Sequence, residues 1–118
     1  MSEDSVETTQ VAPCAVAILT TTSKGDEATQ IATTLVEEGL AACVNIVPGV
    51  RSIYRWEGKV HDDVEQLLVV KTTPAGQGAV VERIQQLHSY DCPEAIALPV
   101  IGGSRAYLDW VGKSVSGS

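Results

Sequence analysis

Apolar positions along the chain fall into blocks with two different periods. Residues 14–22 (CAVAILTTT) are a short apolar, β-compatible run, and predict a first strand. Ser23-Lys24-Gly25-Asp26 then supplies loop and helix-start chemistry. After it Ala28, Ile31, Ala32, Leu35 and Val36 recur at i, i+3, i+4, i+7 and i+8, which is one face of an α-helix. Glu27 suits the positive end of that helix dipole and Gly39 suits the C′ position. Residues 40–56 read as an extended arm interrupted at Pro48-Gly49, where a bulge or bend is expected. Glu57-Gly58 is a two-residue hairpin turn, and residues 59–73 return as a strand centred on Leu67-Leu68-Val69-Val70. A second helix is predicted over 75–88, with Val80, Ile84, Leu87 and His88 on or near one face; Asp91-Cys92-Pro93 breaks it. Residues 95–101 form a fourth strand. Ser104 caps a last short helix carrying Tyr107, Leu108, Trp110 and Val111. The order β-α-β-β-α-β plus a C-terminal helix predicts an α+β, ferredoxin-like fold with a long hairpin between its second and third strands.

Two features of this pattern call for assembly. Helices in such a fold cover one face of the sheet, so the other face should carry polar residues. Here Leu67-Leu68-Val69-Val70 and residues 14–19 are apolar on both faces. The arm is also long. Residues 40–56 would span roughly 55 Å at about 3.3 Å per residue, whereas a compact chain of this size has a diameter of roughly 35 Å. The hairpin tip, with Tyr54 and Trp56 close to it, should overhang its own domain and pack on a neighbour.

Composition narrows the class. A chain of 118 residues makes one domain. Residues 1–12 are polar, acidic and aperiodic and are expected to be a disordered tail, with the domain at 13–113 and a flexible C-terminus at 114–118. The net charge is -7 and the eight Lys and Arg are scattered singly, which argues against nucleic acid. There is no apolar run of membrane-spanning length and no signal-peptide pattern, so a cytoplasmic location is expected. Three cysteines without a CxxC cannot all pair; Cys14 and Cys43 are expected to be buried thiols and Cys92 an open one.

Several segments together closely resemble the CutA family, known for divalent-cation tolerance: LAACVNI-PGVRSIYRWEGKV at 40–60, LLVVKTT at 67–73, HSYDCPEAIALP at 88–99 and YLDW at 107–110. The resemblance covers about residues 14 to 111 in matching order and spacing. It implies a homotrimer whose hairpin reaches onto the adjacent subunit and a role in divalent metal-ion (copper) tolerance; no enzymatic activity is expected, because no nucleophile–base pair is evident in the sequence. A PII-like trimeric sensor, binding a small anion at subunit clefts, is the alternative.

The candidate metal ligands are His88 and Cys92. His88 ends the second helix, and with Asp91, Cys92 and Glu94 following, imidazole, thiol and carboxylate could converge on copper or another divalent ion. The resemblance also implies a limit. Members with a fuller copper set carry a Cys near the end of the first strand and a second His before the one matching His88, places held here by Thr20 and Leu87. Two lone ligands make at most a weak site, or one completed across a subunit boundary. No cofactor is obligatory. A second candidate cluster takes Trp56, Glu65, Lys71, Tyr90 and Glu94 as a ligand-binding set. Glu65 and Lys71 share a strand face because their spacing is even, and Glu94 is the expected partner of the Lys71 ammonium. Trp56 is expected to meet Lys71, Tyr90 and His88 of a neighbouring subunit. Gly76-Gln77-Gly78 opens a helix after a strand, but Val81 holds the third glycine position of a dinucleotide fingerprint. His61, Asp62 and Asp63 read as a solvated, charged strand.

Overall fold

A computed structural model describes residues 8, 9 and 14–116. The elements run β1 (Thr8–Thr9), β2 (Ala15–Thr22), α1 (Glu27–Glu37), β3 (Cys43–Trp56), β4 (Lys59–Thr72), α2 (Gln77–Leu87), β5 (Ile96–Val100), β6 (Gly103–Ser104) and α3 (Arg105–Ser114). Four strands form one antiparallel sheet in the order β3-β4-β2-β5, and β1 pairs with β6 in a two-stranded ribbon. The mixed α/β architecture is the expected one. Of the 1–12 segment, Thr8 and Thr9 pair with Ser104 and Gly103; the rest of that expected tail lies outside the described residues.

The core lies between the sheet and α1 and α2. Ile18, Leu68 and Val70 point from the strands onto Ile31, Leu35, Val80 and Ile84, all 1% exposed or less. The burial of α1 follows the predicted stripe through Ala28, Ile31, Ala32 and Leu35, while Val36 falls off it. Thr20, Thr22 and Thr72 share this buried face. Thr72 Oγ1 donates to the Leu40 carbonyl at 2.8 Å. The hydroxyl of Thr20 has no hydrogen-bond partner among the described residues.

The opposite face of the sheet is apolar as well. Register places Leu19, Leu67, Val69, Val47, Ile96 and Leu98 on it together. α3 covers only one end, where Val111, Val115 and Leu108 pack on Ala15, Ala42 and Val100. Ser104 caps α3, its hydroxyl accepting from the Tyr107 N–H at 3.4 Å. Of the 114–118 segment, Val115 is 5% exposed and the Ser116 N–H donates to the Gly39 carbonyl at 2.8 Å, while 117–118 lie outside the described residues. Apolar burial and that bond tie the end of α3 to the end of α1. Cys14 and Cys43 are half-buried rather than buried, and Cys92 is exposed.

The hairpin defines the outline. Glu57 and Gly58 take φ of 52° and 81°, both left-handed, as a twist-matched two-residue turn requires. Val47 pairs with Leu67 and Val50 with Glu65, so Pro48 and Gly49 stand opposite Gln66 alone. This bulge shifts parity on β3. Before it, Cys43, Asn45 and Val47 share the open face; beyond it, Val50, Ser52, Tyr54 and Trp56 do. The molecule measures 54 × 30 × 22 Å with a radius of gyration of 15.9 Å. A compact chain of this length would have one near ~13.5 Å, and the projecting hairpin accounts for the excess.

Candidate functional site

The site begins where α2 ends. His88 takes an extended conformation (φ −80°, ψ 145°) that stops the helix, and its N–H still reaches the Ile84 carbonyl at 2.9 Å. Its ring turns inward, with a fully buried side chain. Nε2 lies 2.8 Å from the Thr21 carbonyl and must donate; Nδ1 lies 3.1 Å from the Tyr90 N–H and must accept. These partners occupy both ring nitrogens, and the Glu27 carboxylate lies 3.6 Å from Nδ1. Glu27, at the start of α1, receives the Ser89 N–H at 2.6 Å and the Ser89 hydroxyl at 3.0 Å. The residues after α2 are thus pinned to both β2 and α1.

Pinning aims Tyr90 at β4. Its ring packs on His88, centroids 4.5 Å apart, and its hydroxyl donates to Glu65 Oε2 at 2.7 Å. Burial, and then the Glu65 carboxylate, push the Tyr90 hydroxyl well above the usual phenol range. Glu65 itself is only 7% exposed. Beside this pair opens a cleft of about 690 Å³ between the hairpin and the 89–94 loop. Tyr54 and Trp56 come to it from β3, turned there by the bulge, and Asp91, Cys92 and Glu94 from the loop. The Tyr54 hydroxyl donates to Asp63 Oδ2 at 2.5 Å and its ring stacks on His61. That hydrogen bond, more than desolvation, raises the Tyr54 hydroxyl. Desolvation in the cleft and then the Glu65 charge raise the Glu94 carboxyl. Among the described residues, no lysine, arginine or histidine lines the cleft.

Four members of the predicted ligand set, Trp56, Glu65, Tyr90 and Glu94, therefore meet in one cleft. They do so within one chain, while the expected contact of Trp56 with Lys71, Tyr90 and His88 of a neighbour concerns the assembly. Lys71 is not with them. It lies on the same face as Glu65 but six residues along β4, roughly 20 Å away at ~3.3 Å per residue. It pairs in register with Cys43 and Ala17, and its ammonium donates to Asn45 Oδ1. Glu94 is not its partner. Even spacing fixes the face of a strand, not the place along it.

The two predicted metal ligands do not converge. His88 spends both nitrogens on protein partners inside the fold, whereas the Cys92 thiol is exposed at the cleft. Among the described residues no three His, Cys, Asp or Glu side chains are grouped to hold a metal ion. This donor set does not fit a tight transition-metal centre in one subunit. Sequence reasoning missed Glu27 as the anchor of Ser89. It read Glu27 only as a helix-dipole residue, and nothing in a linear sequence joins positions 62 apart.

Fold and site together define a ferredoxin-like α+β protein with a long overhanging hairpin and an acidic, aromatic cleft at its flank. The family model for the CutA1 divalent ion tolerance protein matches residues 16–114. The chain belongs to that family. The divalent-cation tolerance protein CutA of Thermus thermophilus is 53% identical over 94 residues, covering 80% of this chain and 91% of that protein. Its solved structure superposes with a TM-score of 0.83 at 49% identity, covering 86% of this chain and 99% of the other. The crystal structure of CutA1 from Oryza sativa gives 0.86 at 42% identity, covering 92% and 98%. Chloroplastic protein CutA of Arabidopsis thaliana is 44% identical over 108 residues, 92% of this chain and 59% of that protein. The chain thus spans well under two thirds of that plant relative.

Proposed function

We propose that the protein acts in divalent metal-ion tolerance, copper included, as a homotrimer. The observation that carries the assembly is the open sheet face. Leu98 is 46% exposed, Ile96 51% and Val47 44%, all on this one face of the sheet. A contiguous apolar face of this kind wants covering, and a sister subunit is the cover that family membership favours. The hairpin, bearing exposed Ile53, Val60 and Val64, gives a subunit the reach to clasp its neighbour.

Metal enters this reading as cargo held weakly, by the cleft carboxylates and Cys92 or by ligands from two subunits. No cofactor is required and no catalysis is assigned. The PII-like anion sensor is the poorer reading, because a cleft lined by carboxylates, with no cation among its described lining residues, repels anions. No described helix is long and apolar enough to cross a membrane, and we place the protein in the cytoplasm. Light scattering on the purified chain should give three subunits. A deletion strain should grow poorly on raised copper and recover with the wild-type gene. A monomer at micromolar concentration, or growth indifferent to the gene at every metal dose, refutes the reading.

A further inference from the structure

Nδ1 of His88 faces two partners with opposite demands. The Tyr90 N–H, 3.1 Å away, needs a bare nitrogen to donate to. A Glu27 carboxylate oxygen, 3.6 Å away, needs a proton on that same nitrogen. One proton therefore decides which of the two the ring serves. The other nitrogen is committed, because Nε2 keeps its hydrogen for the Thr21 carbonyl at 2.8 Å. The side chain is fully buried, so water does not take the place of either partner. Glu27 is held ready in its position: Ser89 donates to both of its oxygens, at 2.6 Å from the backbone and 3.0 Å from the hydroxyl. The titratable groups around the ring come from three elements. α1 brings Glu27, the loop after α2 brings the Tyr90 phenol, its ring centroid 4.5 Å away, and β4 brings Glu65 at the far end of that phenol. None of them repels a charged imidazole. Thr21, from β2, is uncharged. The cleft groups Asp91, Cys92 and Glu94 are not among the hydrogen-bond or ion-pair partners of the ring.

We propose that His88 is a proton-operated latch on the 89–94 loop. With Nδ1 bare, the ring accepts from the Tyr90 N–H, fixes that residue's backbone and so keeps the Tyr90 hydroxyl on Glu65. When Nδ1 takes a proton from solvent, it donates that hydrogen to Glu27 and no longer accepts from Tyr90. The Tyr90 N–H then faces another donor, and the loop gives way from β4. Acid uncouples the loop from the strand that carries the hairpin, and base returns the proton to solvent and closes the latch again. The device stands whatever the cleft holds.

NMR on the full chain in its native assembly tests it, from about pH 8 to about pH 5, the range in which an imidazole ordinarily titrates. Ring nitrogen shifts of His88 report its protonation, and the Tyr90 amide reports the latch. Both should change with one shared midpoint. Below it, the protection of the Tyr90 N–H from hydrogen exchange should fall roughly tenfold, the loss of one hydrogen bond. Protection of the Val70 N–H, in the buried part of β4, should hold. Glu27→Gln still accepts from Ser89 but lacks the charge, and should weaken proton uptake at His88 roughly tenfold. A ring whose protonation does not change over this range while the chain stays folded overturns the proposal. So does protonation that leaves the Tyr90 amide as it was, or that Glu27→Gln does not weaken. If that variant does not fold, the shared midpoint in the wild-type chain decides alone. None of these outcomes bears on assembly or on metal tolerance.

Discussion

Both ring nitrogens of His88 hold the 88–94 loop, one through Thr21 and one through Tyr90. His88→Ala should therefore lower stability by about 2–4 kcal/mol, the cost of two buried hydrogen bonds and a small cavity. Urea unfolding reads this. The Cu²⁺ titration isotherm should not change, because no lone pair of that ring is free. Glu94 gives a pH signature of known sign. Its carboxyl is raised in the folded state by desolvation and by Glu65, so the folded protein binds that proton more tightly than the unfolded chain. Stability is then lost as pH rises through the ordinary carboxylate range towards the raised value. Glu94→Gln should melt above wild type at pH 7, and the gain should vanish near pH 3; a gain that persists in acid refutes the assignment. At this scale the sequence grouped Trp56, Glu65, Tyr90 and Glu94, which one cleft brings together, with Lys71, which lies farther along its strand, and with His88, whose ring turns inward; side-chain direction and distance along a strand come from packing, which a linear pattern does not encode.

The strands and helices were legible because each shows its own period. The Glu57-Gly58 turn was legible because both residues must take positive φ. The bulge was legible only as an interruption. Its direction of effect, turning Tyr54 and Trp56 to the cleft, needed the register. Deleting Gly49 removes the extra residue opposite Gln66, so the distal half of β3 must either invert its faces or slide in the turn. The expected result is a protein that folds less stably, with Trp56 withdrawn from the cleft. Its fluorescence should lose sensitivity to Glu65→Gln and Glu94→Gln. A Gly49 deletion with wild-type Trp56 emission and stability contradicts the parity account.

For the whole molecule, the 54 Å long axis goes with a sheet whose second face is largely open in the single chain. The core on one face is closed by α1 and α2, but the second face is closed only at the α3 end. Leu98→Lys places an ammonium in the middle of the open strip, where assembly would bury it without a partner. It should shift the protein from trimer towards monomer in light scattering. Helical content by circular dichroism should hold, because Leu98 faces away from the helix-covered core. A variant that stays fully assembled would move the interface elsewhere. The apolar second face was legible in Leu67-Leu68-Val69-Val70; a number of copies was not, since apolar area carries no count.

The Pro48-Gly49 insertion also bears on inheritance. A strand with one extra residue behaves as a reading frame for side chains: beyond it, odd and even positions have exchanged roles. Among descendants of this chain, a single-residue gain or loss between positions 48 and 56 carries every distal side chain to the wrong surface at once. Paired changes, or a compensating slip at the turn, keep the frame. Length variation in this arm should therefore come in twos, or in matched changes on both arms of the hairpin, while the loops at the helix ends drift freely.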